Sequence, residues 1–252
     1  MDISIIIPLF NGLSFTKPMY ESLIQTLPNS LSYEIILVDN ASNDSTRTWI
    51  EQLSNPHLKV IWNDTNQGYA KANNQAASKA LGNYLVLLNN DLLLTPNWLE
   101  PMYNVIRETK TVIVGNVQLS SRYEGVDHAG IFFDWCGWTY HFKPSLNFIK
   151  QHFTYEVPAV TAACAIVDKA WFLSQEGFDE CYDNGYEDVD LCLKAKSQGH
   201  KLYVTARSIV HHYGRASEGR HTHEEVNSLY FKSKWYAYAV ELSSIKPPAD
   251  EL

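Results

Sequence analysis

The sequence has few of the features that mark secreted, disulfide-stapled or membrane-spanning proteins. Its four cysteines show no paired metal-ligand spacing, and Cys164 and Cys192 lie in apolar runs that are typical of buried thiols. No apolar stretch approaches the roughly 20 residues that a membrane span requires. Because the first residues also lack the basic region of a signal peptide, we expect a reducing, cytoplasmic compartment.

Basic residues are in the minority, and a glycine-rich phosphate loop is missing. Lysine and arginine number 20 against 28 aspartates and glutamates, and the net charge of −8 argues against general nucleic-acid binding. The segment from Pro8 to Gly12 has neither the dinucleotide fingerprint nor the P-loop spacing, which disfavours a nicotinamide enzyme or a nucleotide hydrolase. The 252 residues, 45% of them hydrophobic, suffice for a large core.

The first ninety residues alternate between strand-like and helix-like segments. This alternation predicts an α/β fold with a mostly parallel central sheet and helices on both faces. The predicted strands of this part cover residues 3–9, 34–38, 59–62 and 84–88. The pattern is looser afterwards, with an aromatic-rich irregular stretch over 125–147. There the expected strands cover 112–119, 157–167 and 202–210, and the expected helices cover 98–107, 169–174 and 223–240.

An acidic cluster begins the helix that is predicted after residue 186. Glu187, Asp188 and Asp190 place three carboxylates within four positions, and the positive end of the helix dipole can account for them. Apolar Val189 and Leu191 beside them indicate partial burial, which can make a carboxylate a usable general base. Two interpretations therefore stay open at this point: the acids stabilise the start of the helix, or one of them is a catalytic base.

Polar side chains collect where the predicted strands end. Asp91 follows the strand 84–88 and either caps the next helix or ligates a hard divalent cation that holds a diphosphate. His211 and His212 follow the strand 202–210 and are either surface histidines or include one metal ligand. Open α/β sheets bind ligands at the carboxyl ends of their strands, so a metal site at this edge is the functional interpretation.

Three further polar residues each have a structural and a functional interpretation. Asp39 either caps the following helix or accepts a hydrogen bond from a base imide or a ribose hydroxyl. Lys71 is either solvated or a cation that faces the edge of a nucleotide. Arg215 lies on a loop with two glycines, where its guanidinium is suited to a phosphate.

Seven blocks in a fixed order resemble the inverting glycosyltransferases of family 2, which have the GT-A fold. Each block is weak alone, but their order and spacing together are specific. The blocks cover residues 4–11, 34–44, 66–74, 87–91, 177–180, 186–191 and 211–217. The resemblance implies a single GT-A domain over 1–252 with a smaller acceptor-side sheet. Its donor half would cover 1–91, and its acceptor half, with the closing loop and the C-terminal helix, 92–252.

The resemblance also implies catalytic and metal-binding roles for individual residues. Asp188 would be the general base, with Glu187 orienting it or the acceptor. A divalent ion, Mn or Mg, would be bound by Asp91 and His211, with His212 as the alternative ligand.

The donor side of the resemblance departs from the family at one position. The triplet reads Asn89-Asn90-Asp91, so the aspartate that relatives often have first is absent, and the strength of metal binding stays open. The implied donor-binding residues are Pro8, Asn11, Asp39, Gly68, Lys71, Asn90 and Arg215.

The reaction implied by the resemblance is inverting transfer of a sugar from a UDP- or dTDP-linked donor to a saccharide or lipid-linked saccharide. The blocks are most similar to those of rhamnosyltransferase-like members, which build bacterial surface polysaccharides. A lipid-linked acceptor would bring the protein to the inner face of the membrane. The sequence does not indicate an oligomeric state.

Two other functions fit the sequence less well. A nucleotidyltransferase that makes sugar nucleotides would need a glycine-rich basic loop after the first strand. A non-catalytic sugar-binding relative would not need Asp91, Asp188 and His211 together. Six aromatic residues of the irregular stretch either pack in the core or stack on sugar rings; they are Phe132, Phe133, Trp135, Trp138, Tyr140 and Phe142.

Overall fold

The computed structural model describes residues 1–151, 153–214 and 223–249. Within these ranges ten strands form one mixed sheet and two form a small second sheet. The strands are β1 (Ile3–Leu9), β2 (Tyr33–Asp39), β3 (Leu58–Trp62), β4 (Tyr84–Leu88), β5 (Leu92–Leu94), β6 (Ile113–Ser120), β7 (Val126–His128), β8 (Ile131–Phe133), β9 (Thr139–His141), β10 (Thr154–Val157), β11 (Cys164–Asp168) and β12 (Leu202–His212). The helices are α1 (Leu13–Thr26), α2 (Thr46–Glu51), α3 (Tyr69–Lys79), α4 (Glu100–Thr109), α5 (Leu146–Gln151), α6 (Lys169–Ser174), α7 (Glu187–Ser197) and α8 (Glu224–Leu242).

The order of the large sheet explains how distant parts of the chain reach one edge. Its strands follow the order β10-β12-β6-β11-β4-β1-β2-β3, with β5 beside β12 and β7 beside β6. Strand β1 is parallel to β2 and β4. Strand β11 is antiparallel to both β4 and β6, and β12 is parallel to β6. Strand β12 therefore runs in the same direction as β4, and their carboxyl ends lie along one edge with those of β1 and β2.

Apolar side chains fill both faces of the sheet because successive residues of a strand point in opposite directions. Ile6 of β1 packs into the cluster that includes α3 and α7, whereas Ile5 and Ile7 pack into the cluster that includes α1 and α4. Each such fully buried side chain contributes roughly 1.5–3 kcal/mol. The predicted α/β fold, with helices on both faces and a smaller sheet formed by β8 and β9, is confirmed. In the described ranges, no helix has the length and apolar character that a bilayer crossing requires.

Most predicted elements agree closely with the structure, but the strand expected over 157–167 is wrong. That run contains the end of β10 and most of β11, which pair with different strands. Pro158 interrupts the run because it has no amide hydrogen to donate to a neighbouring strand. The short strands β5, β7, β8 and β9 were not predicted, since three residues carry too little pattern to detect.

A buried ionic cluster attaches α8 to α7. Asp190 of α7 is fully buried, and its Oδ1 accepts hydrogen bonds from Trp235 Nε1 at 2.7 Å and from the Tyr182 hydroxyl at 3.2 Å. Lys234 of α8 forms ion pairs with Asp190 and with Asp179, whose Oδ2 lies 2.7 Å from Nζ. Although burial opposes it, the hydrogen bond from Lys234 holds the pKa of Asp179 well below its ordinary value. The C-terminal helix is thereby tied to the helix that carries the acidic cluster.

We expect Lys234→Met to lower the free energy of unfolding by about 3 kcal/mol at pH 7, because Asp190 stays buried after losing a cation. The folded-state pKa of Asp179 lies below the unfolded value. Its share of the stability is therefore present above roughly pH 4 and is lost as the pH falls further. Urea unfolding at pH 7 and pH 3 measures both effects.

The control for this experiment is Lys17→Met, because Lys17 is exposed on α1. This variant should change the free energy of unfolding by less than about 0.5 kcal/mol. Equal losses for the two variants, or a Lys234→Met loss that does not shrink at pH 3, would contradict the ionic explanation.

Candidate active site

Asp91 lies next to the end of β12, because strand β5 begins directly after Asp91 and pairs with β12. Strand β5 begins at Leu92 and pairs antiparallel with β12, with Leu92 opposite His212. The Nε2 atom of His212 lies 3.3 Å from Oδ1 of Asp91. The amide of Tyr213 also donates to the carbonyl oxygen of Asp91 at 3.0 Å. Both the Asp91 and the His212 side chains are buried.

The structure corrects the expected pairing of Asp91 with His211, because the neighbour of Asp91 is His212. Directly opposed residues of paired strands share a face of the sheet. His211 lies opposite Leu93, which is exposed, and His212 lies opposite Leu92, which is buried. Since adjacent residues of a strand point to opposite faces, only one of the two histidines can reach Asp91.

The pair of Asp91 and His212 fits a divalent transition-metal ion. It offers carboxylate oxygen and imidazole nitrogen, a mixed set that suits Mn²⁺ better than Mg²⁺. Nε2 of His212 is buried, and no described residue makes a hydrogen bond of normal geometry to it. Oδ2 of Asp127 lies 3.9 Å from Nδ1 of His212, on the side of the ring away from Asp91.

The protein supplies only part of a coordination shell at this position. In the described part of the chain, no group of three His, Cys, Asp or Glu side chains is arranged to hold a metal ion. The other ligands would have to be substrate oxygens and water, which is the usual arrangement for ions that bind diphosphates. Sequence reasoning missed Asp127, because only its position near His212 identifies it and no motif contains it.

Asp188, the candidate base, lies at the same rim as Asp91. Its Oδ2 accepts a hydrogen bond from the amide of Ala162 at 3.0 Å. The next residue, Ala163, accepts a hydrogen bond through its carbonyl oxygen from the amide of Asn89 at 2.9 Å. Asn89 precedes Asp91 by two positions. This short path of contacts connects the candidate base to the loop that carries Asp91.

The three acids of the cluster have different surroundings. Glu187 is buried, and its Oε2 accepts a hydrogen bond from the amide of Gly185 at 2.6 Å. Between them Tyr186 has a φ of 73°, in the left-handed region that a bulky residue rarely adopts. Glu187 therefore stabilises a tight turn into α7. Asp188 lies at the rim beside Ala162, whereas Asp190 is directed towards α8.

Asn11 joins the loops that follow β1 and β2. Its Oδ1 accepts a hydrogen bond from the amide of Asn43 at 2.8 Å, and its own amide donates to Oγ of Ser42 at 2.9 Å. Beside this junction, Nδ2 of Asn90 donates to Oγ1 of Thr16 at 2.9 Å. The structure thus gives Asn11 and Asn90 bonds that shape the donor side of the rim.

Asp39 is fully buried and paired inside the protein. Its Oδ2 lies 3.0 Å from Nε of Arg47, and its Oδ1 accepts a hydrogen bond from the amide of Ser42 at 3.3 Å. The Arg47 guanidinium also lies over the ring of Trp62, 5.1 Å from its centroid. Arg47 thus pairs with the carboxylate that the sequence analysis assigned either to capping the next helix or to a nucleotide base or ribose. Sequence reasoning missed Arg47, because nothing in its segment distinguishes it from a surface arginine.

Gly68 and Lys71 line an open polar cavity of about 360 Å³, within the size range of small-molecule sites. Gly68 has a φ of 78°, which the turn before α3 requires and which glycine adopts without strain. The lining of this cavity also includes Glu180, Tyr182 and Asp183.

Two further residues of the predicted donor-binding set do not line this cavity in the described structure. Pro8 is half-buried in β1. Arg215 lies outside the described residues.

Comparisons with known sequences point to one family. The family model described as glycosyl transferase family 2 matches residues 4–173. The chain is 30% identical, over 98% of its length, to the O-antigen biosynthesis protein RfbC of Myxococcus xanthus, of which it spans 20%. It is 27% identical, over 92% of its length, to the uncharacterized protein y4gI of Sinorhizobium fredii, of which it spans 27%. The chain therefore spans less than a third of these curated relatives.

Comparisons with solved structures show the GT-A fold. The structure of GalNAc-T7 with UDP, GalNAc and Mn²⁺ has a TM-score of 0.71 and 22% identity, and the match covers 84% of this chain and 43% of that chain. The structure of S. aureus TarS 1–349 in complex with UDP-GlcNAc has a TM-score of 0.65 and 18% identity, covering 92% of this chain and 67% of that one.

We expect Arg47→Met to lower the free energy of unfolding by about 2 kcal/mol, because Asp39 would remain buried without its cation. Arg47→Lys keeps the positive charge and should lose less. Guanidinium chloride unfolding of the two variants measures the difference. An equal loss in both would mean that packing on Trp62, and not the ion pair, stabilises this part of the protein.

Proposed function

The chain belongs to glycosyl transferase family 2, and we propose that it transfers a sugar, with inversion, from a nucleotide diphosphate donor to a hydroxyl group. The observation that carries this proposal is the position of Asp188 near the pair of Asp91 and His212 at one rim of the sheet. A donor bound there would have its phosphates beside the pair and its anomeric carbon within reach of an acceptor at Asp188.

In the proposed reaction Asp188 acts as the general base. Its carboxylate takes the proton of the acceptor hydroxyl while that oxygen forms a bond to the anomeric carbon. The bond between the anomeric carbon and the diphosphate oxygen breaks, and its electron pair leaves with the nucleoside diphosphate. A single displacement from the opposite face inverts the anomeric configuration. The Ala162 amide holds Oδ2 of Asp188, which keeps the carboxylate oriented at the rim.

Asp91 and His212 would hold the divalent cation, whose charge would stabilise the leaving diphosphate. The Mn²⁺ in the GalNAc-T7 structure supports this assignment. We propose Glu187 as the residue that keeps the turn before Asp188 in place. The proposed donor-binding residues are Pro8, Asn11, Asp39, Gly68, Lys71, Asn90 and Arg215.

The proposed donor is a UDP- or dTDP-linked sugar. The UDP in the GalNAc-T7 structure and the UDP-GlcNAc in the TarS structure support a uridine nucleotide. We propose a saccharide or lipid-linked saccharide as the acceptor, because the relative RfbC acts in O-antigen biosynthesis. A lipid-linked acceptor would place the enzyme in the cytoplasm at the inner face of the membrane.

The metal assignment predicts that the two adjacent histidines differ. Asp91→Asn and His212→Ala should each weaken Mn²⁺ binding in the presence of UDP by at least about tenfold, because each removes one protein ligand. His211→Ala is the matched control and should stay within about twofold. Titration calorimetry measures the affinities. Unchanged binding in His212→Ala, or UDP binding by the unmodified protein that EDTA does not alter, would disprove the assignment.

The assignment of the base predicts that Asp188→Asn keeps the donor and loses the reaction. We expect kcat to fall about 10³-fold with UDP affinity within about twofold, because an amide cannot accept the proton. Transfer from a panel of UDP- and dTDP-sugars to a bacterial lipid extract provides the assay, and Glu225→Gln on the exposed side of α8 is the control. Near-normal turnover in Asp188→Asn would remove this residue from the mechanism. UDP binding without turnover by the unmodified protein would favour the non-catalytic alternative.

A further inference from the structure

The hairpin of β8 and β9 carries three aromatic rings that remain partly or largely exposed to water. Phe132 and Phe133 are buried in the core. Trp135, Trp138 and Tyr140, in contrast, are 81%, 43% and 40% exposed. Large apolar side chains left in water forgo the free energy of burial, and a group of them on one surface indicates a binding site.

Hydrogen bonds order the backbone of the turn that carries these rings. Oδ1 of Asp134 accepts hydrogen bonds from the amides of Cys136 at 2.8 Å and Trp138 at 2.9 Å. Gly137 has a φ of 73° and approaches α8 so closely that an added Cβ would lie 3.3 Å from Cβ of Ala239. A surface that is ordered before binding costs less entropy when a ligand arrives.

The hairpin is connected to the turn that begins α7. The side chain of Thr139 in β9 lies beside that of Tyr186. The Tyr186 ring packs on the Phe231 ring of α8 with centroids 5.1 Å apart. Phe133 of β8 stacks on the Phe231 ring as well, with centroids 6.4 Å apart. Tyr186 is two positions before Asp188, so the hairpin packs against the turn that precedes Asp188.

We propose that Trp135, Trp138 and Tyr140 form a platform for the sugar residues of the acceptor beyond the one that reacts. This inference rests on the proposed function, in which the reacting hydroxyl is held at Asp188. The remainder of a saccharide acceptor has to leave the cleft along one of its walls. We assign the hairpin to that wall because Phe133 of β8 and Tyr186 pack on the same residue, Phe231. The C–H groups of a pyranose carry a small positive charge, which favours stacking on the negative faces of aromatic rings.

The chemistry of the hairpin favours a neutral saccharide over an anionic membrane surface. Its large exposed apolar side chains are all aromatic, which suits stacking better than insertion among lipid chains. Asp134 lies within the turn, and the net charge of −8 opposes approach to anionic lipids. The ammonium of Lys232 lies 3.0 Å from the centre of the Trp138 ring, so one face of that ring already has a polar neighbour.

The test compares Trp135→Ala, Trp138→Ala and the double variant with Phe153→Ala, which removes an exposed ring outside the hairpin. The probes are an array of bacterial surface oligosaccharides, applied with UDP and Mn²⁺, and vesicles of phosphatidylglycerol. We expect the unmodified protein to bind oligosaccharides and each tryptophan variant to bind them about tenfold more weakly. UDP affinity should stay within about twofold in every variant, and Phe153→Ala should behave as the unmodified protein.

Three outcomes would overturn the inference and leave the proposed function in place. They are oligosaccharide binding that the double variant retains, a protein that binds UDP but no oligosaccharide, and vesicle binding that depends on the two tryptophans. Loss of UDP binding in the unmodified protein would instead overturn the proposed function and this inference with it. Trp135→Ala keeps the test independent of folding, because that side chain is 81% exposed.

Discussion

The pairing of β5 with the end of β12 is the contact on which the arrangement of the site depends. Strand β4 ends near the middle of the large sheet, and β12 lies three strands away. The three residues of β5 bridge this gap by pairing with the last three residues of β12. That register places Asp91 against His212, and a shift of one residue would present His211 instead. The geometry of the proposed metal site therefore depends on a very short strand.

The position of Asp188 depends on contacts from two sides of α7. The amide of Ala162, just before β11, holds the carboxylate at the rim. On the other side, Asp190 is bound by Lys234 and Trp235 of α8. Residues far apart in the chain thus orient the first turn of one helix. The three acids of the cluster therefore have different contacts. Asp188 lies at the rim, while Glu187 stabilises the turn into α7 and Asp190 ties α7 to α8.

Much of the fold can be predicted from sequence patterns that are long enough to identify a strand or a helix. Buried strands such as 3–9 and 84–88 are continuous apolar runs, and their alternation with helices predicts the parallel sheet. Asp91 and Asp188 were predicted to share a cleft, because strand direction and family motifs both indicate one edge. The choice of His212 over His211 was not predictable, since it depends on a register that three residues define. Arg47 and Asp127 lack any motif, and only their neighbours in space reveal them.

The continuous sheet also determines which motions the protein can make. Strands from the first ninety residues and from the rest of the chain belong to one ladder, with β4 hydrogen-bonded directly to β11. A swing of one half against the other would break a row of backbone bonds, each worth about 1 kcal/mol. In the proposed reaction, substrate entry and product release would therefore rely on loops along the rim, and sequence changes in those loops are expected to alter turnover without altering the scaffold.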